Sequence, residues 1–143
     1  MSLRPYSSAL LAFCGLILIG IGLYFVFLRP ALLPEDTRYI EMPLPELRSS
    51  IPGLFGWLEK VFWVMGGYIC TTGLLTVYVA LTSFRSRARG VSGVAALAGL
   101  TSVGWMTIVN LVIGSDFKWL LLAFAALWSF ALVLYWFEKR QDL

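Results

Sequence analysis

Apolar residues collect into four long runs, and polar residues collect between them. The runs cover 7–28, 61–84, 91–113 and 117–137 of this 143-residue chain. None carries Asp, Glu, Lys or Arg at its centre. At 1.5 Å per residue, about 22 residues reach roughly 33 Å, enough to cross the hydrocarbon core of a bilayer. The pattern predicts an all-α fold, a four-helix transmembrane bundle forming a single integral membrane domain.

Arg4 ahead of the first run suggests a signal peptide, but the run is too long for one and no small-x-small cleavage pattern follows it. Arg29 and Pro30 close it, with Arg29 expected to snorkel to the headgroups. Tyr24, Phe25 and Phe27 suit the interfacial aromatic belt. Segment 31–60 is the long polar stretch. Its prolines, Pro34, Pro43, Pro45 and Pro52, exclude one continuous helix. The reading is an irregular, proline-rich loop with short helical turns at 34–39 and 46–48. A lead-in helix from Pro52, capped by Ser49 or Ser50, is expected to lie in the interface.

Small residues set the expected packing. Gly15, Gly20 and Gly22 of span one let a neighbouring backbone come close, and Gly66, Gly67, Cys70 and Gly73 form a small-residue stripe on span two whose glycines should face Gly15 and Gly22 or the small face of span three. Thr71, Thr72, Thr76 and Thr82 can return their hydroxyls to the carbonyl one turn back. Span three pairs Ser92 with Ala96, Ala95 with Gly99 and Ala98 with Ser102, which predicts a packed interface. Gly114-Ser115-Asp116 is a tight link that makes spans three and four an antiparallel hairpin. Leu121 is read as facing lipid, and Trp119 with Tyr135-Trp136 as marking the two interfaces.

Cations set the orientation. Arg4, Arg85, Arg87, Arg89, Lys139 and Arg140 fall on one side in three short segments. Arg29, Arg38, Arg48, Lys60 and Lys118 fall on the other, mixed with acids. The positive-inside bias puts both termini in the cytoplasm and the 31–60 loop outside.

Composition narrows the chemistry. Hydrophobic residues make up 59% and charged residues 13%, so lipid is the natural solvent. The net charge of +3 is scattered and does not point to nucleic acid. There is no histidine, and no intramembrane carboxylate of the kind cation exporters carry. Cys14 and Cys70 lack neighbouring ligands and read as small buried apolar groups, with a disulfide between them left open. The expectation is no metal, no haem or other cofactor, and no catalytic residue.

Three candidate sites remain. Trp105 and Trp128 lie far from either interface, at depths about 6 Å apart. Core packing is favoured, with Thr101, Thr107 or Ser129 accepting an indole N–H; a flat pocket for a quinone or similar ring is the sharper reading. Asn110 is the strongly polar amide within a span. An interhelical hydrogen bond is favoured over a polar anchor in a groove. Glu35, Asp36, Arg38, Asp116 and Lys118 come out on one side and can form a small polar cap.

The stretch Leu28-Arg29-Pro30-Ala31-Leu32-Leu33-Pro34-Glu35-Asp36-Thr37-Arg38-Tyr39 resembles a pattern in small uncharacterised bacterial four-helix integral membrane proteins. The continuation from Pro52 through Trp57, Phe62 and Gly66-Gly67-Tyr68 to Tyr78 is similar. The resemblance covers about half the chain. It implies a bacterial inner membrane and four helices, and it brings no activity and no site.

The sequence therefore favours a non-catalytic accessory, assembly or interaction subunit. Its partners would be membrane lipids and another membrane protein or a second copy. A binder of a small lipophilic molecule, lipid or quinone, is the alternative, followed by a small transporter lined by Thr, Ser and Asn110.

Overall fold

A computed structural model describes residues 6–141, with side chains through Lys139. Arg4 and the tail residue Asp142 lie outside the described residues. The described chain is all helical. Helix α1 is Tyr6–Phe27, α2 is Pro34–Ile40, α3 is Leu44–Ser50 and α4 is Leu54–Phe84. Helix α5 is Val91–Ile113 and α6 is Lys118–Gln141. Four of these, α1, α4, α5 and α6, are long and apolar enough to cross a membrane.

Helix α4 starts earlier than the apolar pattern predicts. The lead-in and span two form one helix, entered through Gly53 rather than capped by Ser49 or Ser50. The Ser49 hydroxyl instead donates to the Glu46 carbonyl. The loop holds two short helices, each with proline in its first turn, where a missing N–H costs nothing.

Helix α1 packs most extensively on α4, and its other side meets α6. On α1, Ser8, Gly15 and Gly22 are buried at seven-residue spacing, as are Gly66, Gly73 and Ala80 on α4. A Cβ added to Gly22 would lie 2.7 Å from the Gly66 carbonyl oxygen, and the reverse distance is also 2.7 Å. The two backbones therefore touch, a close approach that small residues permit. Gly20 and Gly67 depart from their expected roles: a Cβ at either meets nothing within 4 Å. Adjacent helical residues point about 100° apart, so Gly66 and Gly67 cannot share one face.

Helix α6 buries Leu121, Phe124, Trp128, Ala131, Tyr135 and Glu138 at alternating three- and four-residue steps. That spacing is a continuous inner seam. Leu121 is 8% exposed and Tyr135 1%, so neither has its expected outward place. Leu121 is core, and Tyr135 packs against Phe84 with ring centroids 4.3 Å apart.

Helix α5 is the least buried of the four long helices, contrary to the small-residue expectation. Of its small pairs, Ala95 and Gly99 turn inward, while Ala96 is exposed. Val91, Ala95, Gly99, Val103 and Thr107 are buried at four-residue steps. In an unbroken α-helix those four steps drift by about 160°. A π-helical turn at Leu100–Gly104 absorbs an extra residue and takes back about 100° of that drift. A second such turn, Ala80–Phe84, lies at the end of α4, where Ala80 and Phe84 are both buried.

The four threonines of α4 donate to the carbonyls one turn back, Thr71 to Gly67, Thr72 to Tyr68, Thr76 to Thr72 and Thr82 to Tyr78. Both cysteines are free thiols, which settles the disulfide question for this structure.

Candidate functional site

The charged side chains gather at the two ends of the bundle. At the loop end, Pro34 opens α2 and places Glu35, Asp36 and Arg38 within two turns. Gly114, with φ 71°, turns the chain from α5 into α6 and presents Ser115 and Asp116. Arg38 Nη2 donates to Asp116 Oδ1 at 2.8 Å, and both side chains are exposed. That hydrogen bond, then the Asp116 charge, raises the Arg38 pKa above its ordinary value. Glu35 is buried and accepts from the Ser115 hydroxyl at 3.2 Å. Asp36 turns the other way. Its Oδ2 accepts from the Leu33 N–H at 2.8 Å and from Arg29 at 3.3 Å.

Arg29 does not snorkel outward. Its guanidinium carbon lies 3.6 Å from the Phe62 ring centroid and 5.3 Å from that of Phe25. Its side chain is 9% exposed, so the cation is stacked and paired within the fold. Of the five expected cap residues, four are thus engaged in two groups. Lys118 is half-buried, and its ammonium makes no ion pair with the described residues.

The tryptophans part company. Trp128 is 3% exposed and lies over Gly99, where a Cβ would come within 2.6 Å of its Cδ1. Its Nε1–H donates to the Ala95 carbonyl at 3.1 Å, not to Thr101, Thr107 or Ser129. Trp105 is 65% exposed on the outer surface. The two indoles therefore do not line one buried slot. Asn110 is half-buried, and its Nδ2 donates within its own helix to the Met106 carbonyl at 2.8 Å. The buried ties between α5 and α6 are instead the Trp128 bond to Ala95 and the Thr107 hydroxyl, which lies 2.8 Å from the Val103 carbonyl of its own helix and 3.2 Å from the Leu121 carbonyl.

A cluster at the other end joins three stretches of chain. Glu138, 7% exposed, occupies the last position of the α6 seam. Its Oε1 accepts from the Ser7 backbone N–H at 3.1 Å, and its Oε2 from the Ser7 hydroxyl at 2.6 Å. The Arg87 guanidinium donates to the same Oε2 and stacks 4.4 Å from the Tyr135 ring centroid. Arg87 adopts φ 59° in the link between α4 and α5, which turns it inward between the exposed Arg85 and Arg89. The Ser8 hydroxyl donates to the Ala80 carbonyl at the widened turn of α4.

The fourth apolar run ends at residue 137, so Glu138 falls just outside it and the pattern alone missed this cluster. The signal was its spacing, three residues beyond Tyr135 and seven beyond Ala131. Among the described residues, each buried polar side chain at both ends has a hydrogen-bond partner, so the arrangement joins helices and holds the loop down.

Comparison with protein-family models, with curated proteins and with solved structures finds no match to this chain.

Proposed function

We propose that this chain is a non-catalytic integral membrane protein of the bacterial inner membrane, an accessory or assembly subunit that acts by contact with another membrane component. Four long apolar helices support its placement in a bilayer. The cation asymmetry supports a cytoplasmic position for both termini and an external position for the 31–60 loop. The observation that carries the reading is the pairing of Glu138 with Ser7 and Arg87. A buried carboxylate near a membrane boundary is a natural functional group, and here it is spent on joining α1, the α4–α5 link and α6. Glu35 with Ser115, and Arg29 with Phe62, are spent in the same way.

Two measurements test the reading. An impermeant maleimide applied to intact cells should label a cysteine introduced at Glu41 and spare one at Arg89. Photo-crosslinkers placed at exposed positions such as Tyr39 and Leu100 should capture one discrete membrane protein. Solute flux into liposomes containing the purified chain would overturn the proposal in favour of a small transporter.

A further inference from the structure

Lipid covers the outer surface of such a bundle without much selectivity, but one strip of α6 combines an apolar cleft with a cation. Leu132, Trp136 and Lys139 recur at i, i+4 and i+7 and share one helix face. Leu132, Val133, Trp136 and Phe137 line a cleft of about 360 Å³. Lys139 is exposed just beyond it, where the bundle ends. Tyr135 and Glu138, each one residue before a member of this strip and so about 100° round the helix from it, are both turned inward.

Among the described residues, charge at this end is net positive. Glu138 is the only acidic residue there among the described residues, and Ser7 and Arg87 engage it. Arg85 and Arg89 flank Arg87 and are exposed. Among the described residues, neither they nor Lys139 has an ion-pair partner. The mixed charges of the loop end make no such field. A cation above an apolar cleft at a membrane boundary complements a lipid whose headgroup is negative.

We propose that this strip holds an anionic phospholipid, its acyl chain along Leu132 and Trp136 and its phosphate against Lys139. The proposal rests on the membrane placement of the spans and is independent of the contact role and of which side this end faces. A single Lys near the headgroups favours an anionic lipid by about fivefold.

The test uses the full chain in neutral detergent, with equal amounts of phosphatidylglycerol and phosphatidylcholine bearing the same acyl chains. Native mass spectrometry counts the adducts. Phosphatidylglycerol should be retained about fivefold more than phosphatidylcholine. Lys139→Gln should bring the two to parity while its melting temperature stays at the parent's. Lys60→Gln, at the far end, should keep the preference. Equal retention of both lipids by the parent overturns the proposal. So does a preference that survives Lys139→Gln, including one abolished only by Arg85→Gln with Arg89→Gln, which would put the lipid at the link.

Discussion

Gly15 and Gly73 each leave the other no room for a side chain. A Cβ on Gly73 would lie 2.7 Å from the Gly15 carbonyl oxygen, and one on Gly15 would lie 2.9 Å from the Gly73 carbonyl oxygen. Backbone contact gathers many small dispersion gains, and a bulky group would forfeit them together. Gly73→Leu should destabilise the bundle by about 1–3 kcal/mol. Gly67→Leu, which meets open space, should stay within about 0.5 kcal/mol of the parent. Thermal melting in detergent compares them. A Gly67→Leu protein less stable than Gly73→Leu would move the seam to the other face of α4.

The inner seam of α6 makes a second contrast. Leu121 is 8% exposed and its neighbour Leu120 is 68% exposed. Leu121→Ala should cost about 2–5 kcal/mol, the range for emptying a packed core position. Leu120→Ala should cost little. Equal losses in melting would show that α6 does not bury this seam.

Glu138 should be coupled to Arg87 more strongly than a surface pair allows. Losing hydrogen bonds to a buried charged group costs about 1–3 kcal/mol. Glu138→Gln and Arg87→Gln should each destabilise the protein, and the double variant should lose less than the two together. Strict additivity in this double-mutant cycle would mean that the salt bridge contributes no stability.

At the loop end the two contacts to the α5–α6 turn should differ. The Arg38–Asp116 pair is solvent-exposed, so Arg38→Ala should leave melting unchanged. Ser115→Ala removes the hydroxyl that donates to buried Glu35 and should cost about 1–3 kcal/mol. The reverse ranking, by melting or by proteolysis within the 31–60 loop, would show that the exposed pair anchors the loop.

The four long helices and the inward glycines Gly15, Gly22, Gly66 and Gly73 were legible in the sequence because composition or spacing marks them; of the expected polar cap, Arg38 and Asp116 meet, while Asp36 turns to Arg29. Helix faces were harder to read. In spans where nearly every position is apolar, the usual contrast between inward and outward residues vanishes. Leu121 and Leu120 are then alike until the seam through Phe124, Trp128 and Ala131 separates them. The choice between Gly66 and Gly67 was in principle available, since Gly66, Gly73 and Ala80 repeat at seven residues while Gly67 leads to Leu74. The π-helical turns had no visible sequence cue. They follow from keeping Val103, Thr107 and Phe84 inward after a run of four-residue steps. Arg29 and Arg87 were read by charge alone, and their aromatic partners Phe62 and Tyr135 lie far away in sequence.

The central claim is that this chain works through another membrane component. Native mass spectrometry of the complex, extracted gently from its own membrane, tests that most directly. The account expects the chain to emerge with a stoichiometric membrane protein, either a different chain or a second copy. Emergence as a single chain carrying nothing but lipid, at extraction conditions that keep known membrane complexes intact, would contradict it.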